Sequence, residues 1–317
     1  MGVYQEVSQV AMPSFGQVIV CGKNRYFSQA AFSLVRETGV TDPVEAVQCL
    51  TNGLLELVEA NKPPMNLAMV ASFQGAVITR TDIRESGRLV PLGAKGYRIE
   101  VRDSDPAGRQ NFSIGHEIGH TLIPSYAQSP TVKSDMLTGE FQKRNEEEFF
   151  CDIASRNLLL PEAIFKEHCS RITPSIGGLL ELSSIFQASI EAIELRLDQL
   201  RCWNCIPVVW ELALKPSQKR SEAQMALLAF EELSEPIEEY RVKFHAGDDA
   251  ALFFPIARHI PMDSDMVSGC LSCGEFKGRC IIPTSKRDVE CDVEAVVVPY
   301  RNEHGNTKQR IVSLIYP

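Results

Sequence analysis

The run His116-Glu117-Ile118-Gly119-His120 constrains this chain more than any other stretch of it. Positions i and i+4 of an α-helix stand one above the other on the same face, so this HExxH spacing aims two imidazoles at one point. Two imidazoles so placed can share a metal ion, with Glu117 beside them to take a proton from activated water. The flanks fit a helix at the floor of a cleft. Phe112, Ile114, Ile118 and Leu122 are apolar, and Gly115 and Gly119 are small. Two glycines weaken an isolated helix by roughly 1 kcal/mol each, which predicts close packing around the histidines. The plainer alternative is a core helix whose two histidines are simply hydrogen-bonded.

A catalytic zinc site takes three protein ligands and leaves one position open, so a third ligand is needed. Between Asn145 and Pro161, the apolar residues Phe149, Ile153 and Leu160 recur at helical spacing, and Pro161 marks the end. Glu148 and Asp152 are i and i+4 on that helix and share a face. One of them can bind the metal, and the other can hold a ligand histidine by its second ring nitrogen.

These residues resemble a known family. Gln110 to His120 is similar to the RQRFTxAHExGH block of ImmA/IrrE-type metallopeptidases. Glu148-x-x-x-Asp152, followed by Leu158-Leu159-Leu160-Pro161, resembles that family's ExEANxFAxxLLMP helix, and Lys62 to Ala71 resembles its PPVDLxxLA helix start. The resemblance implies a zincin-like peptidase domain of the gluzincin kind. His116, His120 and Glu148 would hold zinc, Glu117 would be the catalytic base, and Asp152 would stand behind a ligand histidine. It also implies a protein substrate, a DNA-binding repressor of the helix-turn-helix type. Mn2+ or Fe2+ could occupy the same nitrogen and oxygen ligands. Phe150 and Cys151 stand where the family has Glu-Ala, and Asp152 where it often has Asn, which bears on helix packing and the surroundings of the ligands. Glu146 and Glu147 are expected to point off the ligand face, as a solvated acidic start favoured by the helix dipole. Tyr126, His168 and Arg156 are of the right type to donate to an oxyanion, but each reads more simply as a surface or packing residue.

Upstream, Gly75 to Thr79 and Gly96 to Arg102 read as short strands. The second precedes the metal helix and could pair with an extended peptide, or serve as an ordinary sheet strand.

The expected fold class is α+β in three parts. Residues 1–172 form the zincin-like domain, 173–201 a helix-turn-helix-like pair, and 202–317 a mixed α/β domain that the resemblance implies is GAF-like and a sensor. The joints are Thr173 to Gly178 and Cys202 to Cys205. The helix pair, Leu179 to Leu200, turns at Gln187–Ser189. Its second helix offers Glu191, Glu194 and Asp198 against Arg196 alone, so it suits a structural role better than reading DNA. Beyond it, strands are expected over 206–212, 240–244, 293–299 and 310–316, and a helix over 221–233. This last part holds Cys270-x-x-Cys273, Cys280 and Cys291. Four cysteines can close a structural metal site, but the spacing fits no zinc ribbon, and buried or redox-active thiols are the favoured reading. Cys202-Trp203-Asn204-Cys205 lacks a thioredoxin-like context.

A net charge of −9 argues against general attraction to nucleic acid. No apolar window is long enough for a membrane span. The start lacks a basic n-region and is broken by Pro13 and Gly16, so it does not read as a signal peptide. The expected compartment is the cytoplasm, where ten cysteines are thiols or metal ligands rather than disulfides. Two functions follow as expectations. The first is a regulatory zinc endopeptidase. The second is a non-proteolytic sensor that keeps the zinc fold and acts through its C-terminal domain, although an intact Glu117 speaks for the first.

Overall fold

The computed structural model describes residues 18–124, 141–215, 238–244, 246–247, 252–301 and 307–317. Tyr126 and the helix expected over 221–233 lie outside them. Contacts divide the chain into two units. One is Met1–Phe165 with Ile185–Ser189, and the other is Lys166–Ser184 with Ile190–Pro317.

The first unit opens with a hairpin, β1 (Ile19–Cys21) and β2 (Asn24–Tyr26). Helix α1 (Gln29–Thr38) begins at Ser28, whose hydroxyl accepts from the Ala31 amide, and stops at Gly39 in the left-handed region. Helix α2 (Pro43–Leu57) begins at Asp42 with proline in its first turn, and α3 (Leu67–Phe73) at Asn66. Three strands follow, β3 (Ala76–Thr81), β4 (Gly87–Pro91) and β5 (Tyr97–Arg102). They pair in the order β3-β5-β4, with β5 parallel to β3 and antiparallel to β4. β5, for which peptide pairing and an ordinary sheet role were both open, is central with both its edges already paired, as an ordinary sheet strand. The outer edges of this sheet belong to β3 and β4.

Helix α4 (Ala107–Leu122) carries the HExxH run, and α5 (Phe141–Leu159) packs along it. The two glycines explain the closeness. A Cβ on Gly115 would lie 2.7 Å from Ser155 Oγ, and one on Gly119 would lie 2.9 Å from Cys151 Cα. The Ser155 hydroxyl also donates to the Phe112 carbonyl at 2.7 Å. Ile114, Ile118, Phe150, Ala154 and Leu158 are buried. Burial of this kind, worth about 1.5–3 kcal/mol for each large side chain, offsets the poor helix propensity of the glycines.

The second unit holds most of α6 (Glu162–Arg171), α7 (Ile176–Phe186) and α8 (Ile190–Leu200), the last two bent by 107°. Its sheet runs β10-β7-β6-β13-β12-β11, every neighbour antiparallel. The strands are β6 (Ile206–Ala213), β7 (Glu239–Val242), β10 (His259–Ile260), β11 (Glu275–Pro283), β12 (Asp288–Arg301) and β13 (Thr307–Tyr316). A two-residue pair, β8 (Ala246–Gly247) and β9 (Phe253–Phe254), stands beside them. Helix α9 (Asp265–Cys273) starts at Ser264 and ends at left-handed Gly274. It covers a core that includes Trp210, Phe254, Ile260, Met266 and Val267.

Polar side chains tie α7 and α8 to this sheet. Glu191 joins Lys243 at 3.0 Å and Arg310 at 2.5 Å, and the Arg310 guanidinium lies 3.5 Å over the Tyr300 ring. Glu294 accepts from the Ile176 amide at 3.0 Å, and Asp198 from the Gly247 amide. Glu194 and Arg196 are buried. Glu191 and Asp198 of α8 thus bond within their own unit. No single described helix is long and apolar enough to cross a membrane.

Candidate metal centre

Helix α4 presents His116, Glu117 and His120, and α5 presents Glu147, Glu148, Cys151 and Asp152. The two imidazoles stand edge to face, with ring centroids 5.2 Å apart. The Glu148 carboxylate reaches both. One oxygen is 3.0 Å from His116 Nε2, and the other is 3.9 Å from His120 Nε2. The remaining ring nitrogens are each held by a different acid. Asp152 Oδ1 is 2.9 Å from His116 Nδ1, and Glu147 Oε1 is 3.2 Å from His120 Nδ1. Burial works against a charged His116 ring, but hydrogen bonds to Asp152 and Glu148 outweigh it and push its pKa up to about 9.

That donor set fits a zinc-type ion. It offers two imidazole nitrogens and a carboxylate oxygen on one side, and a second acid on each histidine to fix its tautomer. Glu117 is 3% exposed and lies against β4. A Cβ on Gly87 would come within 3.3 Å of its Oε1 and 3.0 Å of Ser113 Cβ, a tight fit that a larger residue could keep only if these neighbours shifted by a few tenths of an ångström.

Two acids behave differently from the sequence expectation. Glu147 is turned inward onto His120 rather than solvated. Glu146 accepts from the Phe27 and Ser28 amides at 2.9 Å and closes the start of α1. Both follow from α5 packing its first described turns against the rest of the unit instead of into solvent. Cys151, noted in the sequence as a change to helix packing and to the surroundings of the ligands, lies beside the histidines. Its sulfur and one nitrogen from each imidazole are all within 4.8 Å of one another. Its i+3 spacing from Glu148 was the available signal, since that puts both on one helix face.

Of the residues considered as oxyanion donors, Arg156 lies one turn beyond Asp152 on α5, and His168 sits on α6 in the second unit. The C-terminal cysteines are not gathered into one ligand group among the described residues. Cys280 and Cys291 are register partners across β11 and β12, and Cys270 is buried on α9, while Cys273 is exposed at the helix end. Burial pushes the Cys270 thiol up to about 11, as suits a thiol in an apolar core.

Comparison with known proteins points to the same family. Residues 74–198 match the family model described as the IrrE N-terminal-like domain. The radiation response metalloprotease IrrE of Deinococcus radiodurans is 26% identical over 117 residues, which are 36% of this chain. The match spans about a third of that relative's length, 34%. Among solved structures, a Mycobacterium tuberculosis transcriptional regulator superposes with a TM-score of 0.51 at 14% identity. The superposition covers 85% of this chain and 75% of that one, a likeness of fold.

Proposed function

The chain carries a domain of the ImmA/IrrE-type family, and from that premise we propose that it is a regulatory zinc-dependent endopeptidase. The observation that carries this reading is the Glu148 carboxylate standing between His116 Nε2 and His120 Nε2, with Glu117 buried alongside. His116, His120 and Glu148 would hold the ion. Asp152 and Glu147 orient the two rings from behind, which fixes the nitrogens that face it. When bound, the metal supplies the Lewis acidity that activates water and polarises a peptide carbonyl. Glu117 accepts a proton at its carboxylate and returns it to the leaving amine. Zinc suits the nitrogen-rich set, and Mn2+ or Fe2+ can occupy the same ligands.

The sheet edge at β4 is the natural track for an extended substrate. Its inner edge pairs with β5, its outer edge offers main-chain groups, and Gly87 brings it against Glu117. The substrate class implied by the family resemblance is a helix-turn-helix repressor, met in the cytoplasm. The proposed organisation is a peptidase domain over 1–172, a helix pair over 173–201 and a GAF-like sensor over 202–317. Co-expression with such a repressor tests the proposal. Wild type should cleave it, and Glu117→Gln should keep its metal and leave the repressor whole. A biological effect that survives Glu117→Gln would favour the non-proteolytic sensor instead.

A further inference from the structure

We propose that Cys151 is a fourth ligand of the same metal, so that the resting centre is closed by its sulfur and opens only when the thiolate leaves. The proposal rests on the metal reading of His116, His120 and Glu148 and concerns how that site is held in check.

Cys151 is fully buried, at the point where the core cluster that includes Tyr26, Ile123 and Phe150 meets the histidines. Its sulfur and a nitrogen of each imidazole already lie within 4.8 Å of one another. In a tetrahedral zinc centre with bonds of about 2.3 Å to sulfur and about 2.0 Å to nitrogen, the two donors sit roughly 3.5 Å apart. The sulfur and the two nitrogens therefore have at most about 1.3 Å to close, which is within the reach of side-chain adjustment. The backbone is built for this approach. Gly119, between the two histidines, passes so near that a Cβ there would lie 2.9 Å from Cys151 Cα and 3.2 Å from its Cβ. Cys151 also follows Glu148 by three residues, so α5 presents both on the face turned to α4.

The consequence differs from that of a packing residue. Two imidazoles, one carboxylate and one thiolate fill a zinc shell, as in structural sites, and leave no position for water. Glu117 then has nothing to deprotonate. Exchange of the thiolate for water opens the fourth position. The sulfur takes up a proton from solvent and remains as a thiol in the core. A thiolate also softens the set, which favours zinc over manganese or iron.

The test is cobalt substitution in the full-length chain, read by absorption. The expected wild-type spectrum has cobalt d–d bands and a near-ultraviolet sulfur-to-cobalt charge-transfer band. Cys151→Ala should keep the first and lose the second. Zinc K-edge absorption of the wild type, which needs no variant, should show a sulfur neighbour at about 2.3 Å. Wild-type d–d bands without a charge-transfer band, and a zinc shell of nitrogen and oxygen alone, would overturn the fourth ligand and leave the metal reading intact. No d–d bands at all would bring down both.

Discussion

Asp152 Oδ1 lies 2.9 Å from His116 Nδ1, on the side of the ring away from Glu148. A carboxylate there locks the tautomer and turns Nε2 toward the metal position. Asp152→Ala should weaken zinc binding by roughly 10–100-fold, measured by chelator competition. Asp152→Asn keeps an acceptor and should lose less. Equal affinity for all three would show that this contact does not orient the ligand.

The two glycines of the HExxH region should resist change for reasons of space. Gly119→Ala drives a methyl into Cys151 and should destabilise the fold by roughly 1–3 kcal/mol in urea unfolding. Gly53 in α2 is the control, since a Cβ there meets nothing within 4 Å. Gly53→Ala should stabilise by up to about 1 kcal/mol.

Much of the centre was readable because its key relations are local. His116 with His120 and Glu148 with Asp152 are both i,i+4 pairs, and a helix fixes their directions whatever surrounds it. Glu147 and Cys151 were not readable in the same way. Whether a flanking residue turns in or out depends on how α5 is rotated against α4, which no single helix determines. Gly87 belongs to the same class, because its role lies in how near a strand edge comes to Glu117. In the second unit, β6, β12 and β13 carry apolar runs and were legible. β11 was missed because Gly278 and the exposed Lys277 and Arg279 break its pattern. α9 was missed because it is short, although Ser264 and Gly274 are ordinary cap signals.

Glu194 offers a pH test away from the metal. It is buried in α8, and among the described residues neither carboxylate oxygen has a hydrogen-bond partner. Burial raises its pKa well above the usual carboxylate range, with the charge of Glu191 adding to it. The folded chain therefore holds this proton more tightly than the unfolded chain. The pH-dependent part of its cost is absent below the unfolded pKa, and stability falls as pH rises from there toward the folded value. Glu194→Met should remove this slope and raise stability at neutral pH by about 1–3 kcal/mol. Parallel stability curves for the variant and wild type across that range would contradict it.

Glu146 should matter to folding rather than to metal binding. Its carboxylate accepts from the Phe27 and Ser28 amides at the start of α1. Glu146→Ala should cost roughly 1–3 kcal/mol, since it leaves amide donors without their charged acceptor, and should leave zinc affinity unchanged. Urea unfolding and chelator competition on the same preparation separate the two effects.

Zinc stoichiometry under chelator competition, compared across wild type, Glu117→Gln and Glu148→Ala, tests the central claim most directly. The account predicts about one zinc per chain for wild type and Glu117→Gln, and loss of most of it for Glu148→Ala. Undiminished zinc in Glu148→Ala would mean that the carboxylate between the two histidines is not a ligand, and would contradict the account.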